Sequence, residues 1–382
     1  QYALAVDVPA SARTIAWYAE AVDKIYDEIA PTADTALALI TREPVGVVGV
    51  VVPWNYPMIM AAWKLGPALA AGNSVVLKPS EKSPLTALRL AEIALDAGLP
   101  PGVFNVVPGY GHEAGEALAL HMDVDAIGFT GSTRTGRRML EYASRSNLKR
   151  VFNELGGKSA FVVFDDFADL ERAAKTAAGS MFFNQGESCN APSRVLVHES
   201  IADRFVEIVA AEAPKYAPAD PLQPSTVLGA LVDDAQMQTV LGYIEAGRGD
   251  GARLVCGGRR VREDSGGFYV EPTVFDGVAN EMKIAREEIF GPVMSVIRFR
   301  DEAEAVAIAN ASPYGLQASV WSDHLSRAHR VARRLRAGTV HVNSYDEDDI
   351  TVPFGGVKQS GNGRDKSLHA FDKVTELKTT WV

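Results

Sequence analysis

The stretch "VGVVGVVVPWNYPMIMAAWKLGPALAAGNSVVLKP" (Val45 to Pro79) predicts a strand, a helix and a second strand. "VGVVGVVV" is short and continuously apolar, as expected of a strand that is buried on both faces of a parallel sheet. "MIMAAWKLGPALAAG" predicts a helix that ends at Gly72, and "SVVLKP" predicts the strand that follows it. The stretch is therefore typical of a β-α-β unit.

The same alternation of apolar runs and helical stretches continues to the end of the chain. Further strands are predicted at "VFNVVPG", "AIGFTGS", "RVFNELGG", "SAFVVFD", "SRVLVH", "PVMSVIRF", "QASVW" and "GTVHVN". Between a helix over residues 201–213 and "PVMSVIRF" the sequence predicts mainly loops. This order favours an α/β fold with two doubly wound parallel-sheet domains and a boundary near Gly156 and Gly157.

Two segments fit neither predicted domain. "TALALITREP" (Thr35 to Pro44) reads as a strand that precedes the first sheet, and "VTELKTTWV" (Val374 to Val382) alternates apolar and polar residues like an exposed strand. Because a free edge strand can pair with another chain, we expect a small oligomerisation β-segment and a homo-oligomer.

Charge and cysteine content exclude several classes of function. The net charge is −10 and no run of Lys and Arg forms a basic face, so nucleic-acid binding is not expected. Pro53, Lys64 and Pro67 interrupt the most apolar stretch, which argues against a membrane span. Cys189 and Cys256, the only two cysteines, give neither a disulfide framework nor a metal spacing, as expected of a cytoplasmic protein.

A nucleotide site is expected at the carboxyl ends of the first set of strands, although the usual G-x-G-x-x-G fingerprint is missing there. "GYGHEAG" (Gly109 to Gly115) resembles that fingerprint or is a plain strand-to-helix turn. "FTGSTRTG" (Phe129 to Gly136) opens a helix and suits a diphosphate, although it is also an ordinary helix cap. "KPSE" (Lys78 to Glu81) supplies groups for an adenosine ribose or is a solvated turn.

Seven motifs in order give the chain its family resemblance: "PWNYP", "KPSE", "FTGST", "ELGGKS", "FFNQGESC", "EEIFGPV" and "PFGGVKQSGNGRD". Together they resemble the aldehyde dehydrogenase superfamily, from about Tyr26 to the last residue. Members of the superfamily usually carry a longer N-terminal part. Since Gln1 opens the chain shortly before a helical pattern (Ala10 to Asp27), we expect that the N-terminal part is missing.

The resemblance implies how the chain is divided into domains. It implies a remnant of the N-terminal helical part of the cofactor domain (1–25), oligomerisation strands (26–45), an NAD-binding domain (46–155), a catalytic domain (156–370) and a further oligomerisation strand (371–382). A homodimer or homotetramer is implied as well.

Within the superfamily, "TVPFGGVKQSGNGRDKSLHAFDKVTELKTTW" is similar to the branch that oxidises ω-amino aldehydes from polyamine breakdown. Its nearest members are γ-glutamyl-γ-aminobutyraldehyde and 4-guanidinobutyraldehyde dehydrogenases. The resemblance implies NAD(P)-dependent oxidation of such an aldehyde to an acid, through a cysteine thiohemiacetal and a thioester. NAD is favoured over NADP because Glu81 would repel a 2′-phosphate.

The resemblance assigns the catalytic groups by position. Cys189 is the expected nucleophile, Asn55 an expected donor to the oxyanion, and Glu154 the expected base that activates water. Lys64 and Asp365 are expected as further catalytic residues, and no metal is expected. In isolation Cys189 would be read as a buried thiol, Asn55 as a turn residue and Glu154 as the end of a strand.

Cofactor and substrate contacts follow from the same matching. The cofactor is expected to contact Val52, Pro53, Trp54, Lys78, Ser80, Glu81, Gly111, Phe129, Gly131, Ser132, Leu155, Gly156, Glu288 and Phe290. The aldehyde is expected to contact Tyr56, Met60, Trp63, Phe183, Glu187, Tyr345, Asp346, Asp348 and Phe354. The acidic run "DEDD" (Asp346 to Asp349) is either a solvated charge run or an anionic mouth that selects cationic aldehydes.

Two residues depart from the usual family pattern. Asp365 stands where many members have Glu, which shortens the reach of the carboxylate. Glu187 stands where Gln is usual, and a carboxylate so near the nucleophile would disfavour a thiolate if it pointed inward. We expect Glu187 to point away from the thiol or toward the substrate mouth.

Other functions remain open from the sequence. One is a generalist aldehyde dehydrogenase for aliphatic or aromatic substrates. A thiol hydrolase would need a histidine partner for Cys189, and the sequence suggests none. A catalytically inactive, truncated form is the third alternative.

Overall fold

The computed structural model describes residues 2–382, which divide into two compact units. The first unit contains residues 2–154, 349–355 and 362–382, and the second contains residues 155–348 and 356–361. Residues 349–355 and 362–370, predicted as part of the catalytic domain, pack with the first unit. They are held there because Phe354 and Asp365 form a β-bridge and Asp365 pairs with Lys64.

The first unit is built around a five-stranded parallel sheet. Its strands are β1 (Glu28–Ala30), β2 (Ala38–Pro44), β3 (Val47–Val51), β4 (Ser74–Lys78), β5 (Phe104–Val106), β6 (Ala126–Thr130), β7 (Arg150–Glu154) and, at the end of the chain, β17 (Thr375–Trp381). Its helices are α1 (Val8–Ala21), α2 (Pro57–Ala70), α3 (Leu85–Asp96), α4 (Glu116–Leu120) and α5 (Thr133–Ser144). The parallel sheet has the order β5-β4-β3-β6-β7, as expected of a doubly wound fold.

The order of these strands places a topological switch point between β3 and β6. The chain moves outward from β3 through β4 to β5, and then returns to lay β6 on the other side of β3. Ligands of open α/β sheets bind outside the carboxyl ends of the strands at such a point.

A separate three-stranded sheet lies in the first unit, in the order β1-β2-β17. All pairs are antiparallel, and β17 pairs with β2 along its whole length, from Thr375 opposite Pro44 to Trp381 opposite Ala38. The two segments that fitted neither predicted domain therefore pair with each other, and β17 is an edge strand.

The second unit contains a seven-stranded sheet. Its strands are β8 (Ala160–Val163), β9 (Arg194–His198), β10 (Arg253–Cys256), β11 (Arg260–Val261), β12 (Tyr269–Val270), β13 (Thr273–Asp276), β14 (Val293–Phe299), β15 (Gln317–Trp321) and β16 (Thr339–Val342). Its helices are α6 (Leu170–Phe182), α7 (Glu199–Glu212), α8 (Asp234–Gly249), α9 (Lys283–Arg286), α10 (Glu302–Asn310) and α11 (Leu325–Arg334). The sheet order is β10-β13-β14-β9-β8-β15-β16, and only β10 runs antiparallel to its neighbour.

The stretch predicted as mainly loop contains a complete helix. In α8, Asp233 caps the first turn through the Gln236 amide, and Met237, Val240 and Ile244 lie fully buried in the core. The prediction was wrong there, although the cap and the helical spacing of the apolar residues were both in the sequence. No helix within residues 2–382 is long and apolar enough to cross a membrane.

Candidate active site

The chain reverses sharply just before Cys189. Helix α6 ends at Phe182, and Asn184, Gln185 and Gly186 then adopt left-handed backbone angles, with φ of 45°, 59° and 70°. A Cβ atom at Gly186 would lie 2.3 Å from the carbonyl oxygen of Gly291, so only glycine fits this approach. Two residues after this turn comes Cys189, a half-buried cysteine that forms no disulfide and lies ahead of β9.

Gly157 lies against the backbone of Cys189. A Cβ atom at Gly157 would lie 2.3 Å from the Cys189 carbonyl oxygen, which is far inside van der Waals contact. Glycine at this position therefore sets how closely the cysteine loop approaches the chain that enters β8.

Asn190 anchors the cysteine loop on its other side. Its side-chain amide donates to Oδ1 of Asp346 at 2.9 Å, and its carbonyl oxygen accepts from the Tyr345 hydroxyl at 2.6 Å. Gln317 also donates to Asp346, at 3.2 Å. Because Asn190 follows Cys189 directly, these bonds fix the position of the thiol.

The Glu187 carboxylate binds a backbone amide. It is buried, and Oε1 accepts from the Val232 amide at 3.0 Å. This bond partly satisfies the carboxylate in a buried position.

Glu288 packs beside the glycine pair. Its Oε1 accepts from the Gly157 amide at 3.0 Å, and a Cβ atom at Gly156 would overlap its Oε2 at 2.0 Å. Burial raises the pKa of Glu288 to about 7. Lys158 is also fully buried, and burial together with Arg194 lowers its pKa to about 7.

In the first unit, the turn that carries Asn55 ends in the first residues of α2. This helix has no side-chain cap of its own at Tyr56. Instead, the Asp7 carboxylate accepts from the backbone amides of Met58 at 3.2 Å and Ile59 at 2.9 Å. A residue from the start of the chain thus caps the helix that follows Asn55.

Glu154 ends β7 and is almost completely buried. Its carbonyl oxygen accepts from the Gly131 amide at 3.0 Å. A Cβ atom at Gly355 would lie 2.8 Å from Glu154 Oε1, so a glycine also faces this carboxylate.

A buried charge cluster lies in the same unit. Asp365 Oδ2 pairs with Lys64 Nζ at 2.8 Å, and Oδ1 pairs with Lys373 Nζ. Burial favours the neutral acid, but the two lysines outweigh it and hold the pKa of Asp365 at about 2. Asp365 is therefore ionised at neutral pH.

Four predicted substrate residues share an apolar cluster of the first unit. Met60 and Trp63 belong to its core, and Tyr56 and Phe354 pack against it. The rings of Trp63 and Phe354 lie 5.2 Å apart, and the Lys366 ammonium lies over both.

Polar groups collect at the carboxyl ends of β4 and β6. Lys78 Nζ pairs with Glu81 Oε2 at 3.1 Å. Burial opposes ionisation of Glu81, yet hydrogen bonds from its own amide and from Lys78 lower its pKa. Ser132 caps α5 by accepting from the Thr135 amide at 3.3 Å.

Comparison with known proteins identifies the family. The model of the aldehyde dehydrogenase family matches residues 1–380. The chain belongs to the aldehyde dehydrogenase family.

Three similar proteins are informative. The NADP/NAD-dependent aldehyde dehydrogenase PuuC of Escherichia coli is 54% identical over 382 residues, which are 100% of this chain and 76% of PuuC. A γ-glutamyl-γ-aminobutyraldehyde dehydrogenase structure from Burkholderia cenocepacia is 62% identical, with a TM-score of 0.97 over 99% of this chain and 76% of that one. The P. syringae indole-3-acetaldehyde dehydrogenase AldA, a cysteine mutant in complex with NAD+ and IAA, is 60% identical, with a TM-score of 0.99 over 100% of this chain and 77% of that one.

The chain is thus an NAD(P)-dependent aldehyde dehydrogenase, and the predicted family, fold class and reaction are confirmed. The chemistry of its residues fits the cofactor. Because Gly156 has no side chain, the Glu288 carboxylate occupies the space beside it. This carboxylate accepts from the Gly157 amide, and a ribose hydroxyl could donate to it in place of that amide. At the carboxyl end of β4, beside β3, Lys78 and Glu81 supply a donor and an acceptor that suit a second ribose.

The structure constrains some of the other predicted cofactor residues more tightly than others. Val52 follows β3 and its amide donates to the Lys78 carbonyl at 3.2 Å, so Val52, Pro53 and Trp54 leave the sheet beside Lys78. Gly111, by contrast, has no atom within 4 Å of a Cβ position, so close packing does not require glycine there. Each individual contact with the cofactor stays a prediction.

Sequence reasoning missed several residues of this enzyme. Asp7, Lys373 and Lys366 join the first unit's predicted site through contacts distant in sequence. In the second unit, the Gln236 amide donates to the carbonyl oxygens of Ile289 and Phe290, at 3.1 and 2.7 Å. Only Gln236 had a local signal, the helix pattern of α8. Within residues 2–382, no group of three or more His, Cys, Asp and Glu side chains could hold a metal ion.

Proposed function

We propose that this aldehyde dehydrogenase oxidises an ω-amino or guanidino aldehyde of the kind produced in polyamine or arginine breakdown. Two similar proteins support this substrate class. An aminoacetaldehyde dehydrogenase of Pseudomonas aeruginosa is 50% identical over 377 residues, and the Burkholderia cenocepacia enzyme, 62% identical, is named for γ-glutamyl-γ-aminobutyraldehyde.

The Asp346–Asn190 hydrogen bond carries the proposal within the structure. In this bond the Asp346 carboxylate lies 2.9 Å from the side-chain amide of Asn190, the residue that directly follows Cys189. Asp346 is exposed as a residue, but the atoms around its carboxyl group desolvate it and raise its pKa to about 6. Above that pH it carries a negative charge that favours substrates with a cationic far end.

Cys189 is the proposed nucleophile. Its thiolate sulfur attacks the aldehyde carbon and forms a thiohemiacetal, whose oxyanion receives a hydrogen bond from the Asn55 side-chain amide. When bound, NAD(P)+ supplies the acceptor for the hydride that leaves this carbon. The product on the chain is a thioester of Cys189.

Glu154 is the proposed base for the second half of the reaction. Its carboxylate takes a proton from the water that attacks the thioester carbon, and the carboxylic acid product leaves as the Cys189 thiolate is restored. Lys64 and Asp365 are proposed to assist the proton transfer from Glu154.

A comparison of charged and neutral aldehydes tests the substrate proposal. We expect kcat/KM, measured as NADH absorbance at 340 nm, to favour 4-guanidinobutyraldehyde over hexanal. Asp346→Asn should reduce that ratio by about tenfold at pH 8, because it removes one nearby charge. The preference of the wild type should also fall as the pH drops below 6, where Asp346 becomes protonated.

Two controls accompany this experiment. Asp264→Asn removes an equal charge from an exposed turn (Glu263–Ser265) and should leave the ratio unchanged. Cys189→Ala should abolish NADH formation from either aldehyde. Equal wild-type rates for the guanidino aldehyde and hexanal, or a preference for indole-3-acetaldehyde, would refute the proposed substrate class and leave the family assignment in place.

We also propose that the enzyme is a homodimer or homotetramer that works in the cytoplasm. Strand β17 supports the first part, since it is an edge strand whose Leu377 and Trp381 are 62% and 67% exposed. A nucleophilic thiol that is not in a disulfide supports a reducing compartment.

A further inference from the structure

Lys373 is a buried lysine of the first unit that the reaction scheme above does not use. Its ammonium pairs with Oδ1 of Asp365, while Lys64 pairs with Oδ2 of the same carboxylate. Both lysines are buried, and Asp365 is completely buried. Two lysine ammonium groups and one carboxylate together carry a net charge of +1.

Glu154 balances that charge. It is the proposed base and is 4% exposed, and its negative charge raises the pKa of Lys373, against the stronger effect of burial. With Glu154 included, the cluster holds two lysines and two carboxylates. Because an uncompensated buried charge is costly, the cluster is most stable when both carboxylates are ionised.

The fold holds Lys373 firmly in this place. It ends a helical turn (Leu368–Lys373) whose Phe371 packs against Tyr18, with ring centroids 5.6 Å apart. Close by, a Cβ atom at Gly363 would lie 3.4 Å from Lys373 Cδ. A cavity of about 20 Å³ lies beside Lys64 and Lys373, with room for about one water molecule.

Lys373 also completes the set of charged partners of Asp365. A single lysine would leave one of its buried oxygens without a charged partner, whereas Lys373 satisfies that oxygen and holds the carboxylate toward Lys64.

We propose that Lys373 is a positioning residue for thioester hydrolysis. It fixes Asp365 against Lys64, and its positive charge keeps Glu154 in the ionised form that accepts a proton from water. The inference rests on the proposed role of Glu154 as base and is independent of which aldehyde the enzyme prefers.

Stopped-flow kinetics of Lys373→Met with hexanal tests this inference. The first turnover should still give a burst of NADH close to one per active thiol, because formation of the thioester does not use Lys373. On the acidic limb of the pH profile, steady-state kcat should fall by roughly tenfold, since a smaller fraction of Glu154 is ionised there. The acidic limb of the profile of kcat against pH should move to higher pH by about one unit. Loss of the nearby Lys373 cation raises the pKa of the Glu154 carboxylate.

Three further variants separate positioning from a general structural effect. Lys373→Arg keeps the charge and should restore most of the rate and the original acidic limb. Asp365→Glu, introduced into Lys373→Met, lengthens the carboxylate and should recover part of the lost hydrolysis. Lys215→Met removes an exposed lysine paired with Glu212 and should behave like the wild type.

The outcomes are distinct. A Lys373→Met enzyme with a lowered Tm, but with burst and steady-state rates reduced equally and an unmoved acidic limb, overturns the inference. If Lys373→Met does not fold, Lys373→Gln takes its place, because it removes the charge but keeps a polar group against Asp365. The same burst, steady-state rate and acidic limb are then compared with those of the wild type. Failure of Glu154→Gln to slow hydrolysis would refute the role of the base itself.

Discussion

Gly157 illustrates how one residue controls the position of the proposed nucleophile, Cys189. The space for its missing side chain is taken by the carbonyl oxygen of Cys189, 2.3 Å from where a Cβ atom would be. Since both atoms belong to the backbone or are directly attached to it, a rotamer change cannot relieve the overlap. Any larger residue must displace the cysteine loop, together with the bonds that Asn190 makes to Asp346 and Tyr345.

We therefore expect Gly157→Ala to impair catalysis more than stability. A displacement of about 1 Å at a reacting atom costs on the order of a hundredfold in rate, so kcat/KM should fall by about that factor. Gly242→Ala is the matched control, because it lies in α8 with nothing within 4 Å of the new methyl group. It should retain full activity and gain about 0.5–1 kcal/mol of stability. Wild-type kcat/KM for Gly157→Ala would show that the loop can shift without consequence.

At the scale of elements, α2 depends on a cap from outside the helix. The turn "PWNYP" supplies Pro57 as the first helical residue, but no side chain in it accepts from the exposed amides. Asp7, which precedes α1, supplies that acceptor for two of them. The proposed oxyanion donor Asn55 therefore sits in a turn whose following helix is fixed by the N-terminal part of the chain.

Asp7→Ala should destabilise the first unit by about 1 kcal/mol, the usual effect of losing a helix cap. Asp7→Asn keeps an acceptor oxygen and should lose much less. The measurement is the midpoint of urea unfolding for each variant, with activity recorded alongside it. Asp23→Ala, which only breaks an exposed pair with Lys24, provides the control. An unfolding midpoint for Asp7→Ala equal to that of the control would argue against this capping role.

At the scale of the whole molecule, β17 is an edge strand with two exposed apolar side chains. Leu377 and Trp381 lie four residues apart and so point to the same face of the strand, and both are largely exposed. The full length of β17 pairs with β2 on one side only. An unpaired strand edge with exposed apolar side chains favours pairing with a second copy of the chain.

The double variant Leu377→Asp and Trp381→Asp should convert the oligomer to monomers, because two buried charges oppose an apolar contact. Size-exclusion chromatography with light scattering gives the mass directly. Leu222→Asp alters a residue that is 89% exposed in a loop of the second unit and should keep the wild-type mass. A monomeric wild type, or a double variant that keeps the wild-type mass, would refute the proposed interface.

Most of the architecture could be predicted from the sequence, because its signals are local. Apolar runs in alternation with helical patterns predicted both parallel sheets, and the ordered motifs predicted the family. The path before Cys189 also has a local cause, in the left-handed Asn184, Gln185 and Gly186. Helix α8 could have been predicted from its Asp233 cap and apolar spacing, although it was not.

The sequence by itself determined most of the order of strands and helices and the family, and it predicted which side chains react. Only the tertiary structure decided which distant residues support them. Lys64 and Asp365 are 301 positions apart, and Asp7 and Ile59 are 52 apart. No local pattern encodes such pairs, because each is selected by burial: a charge or an amide that loses water must find its partner wherever the fold brings one.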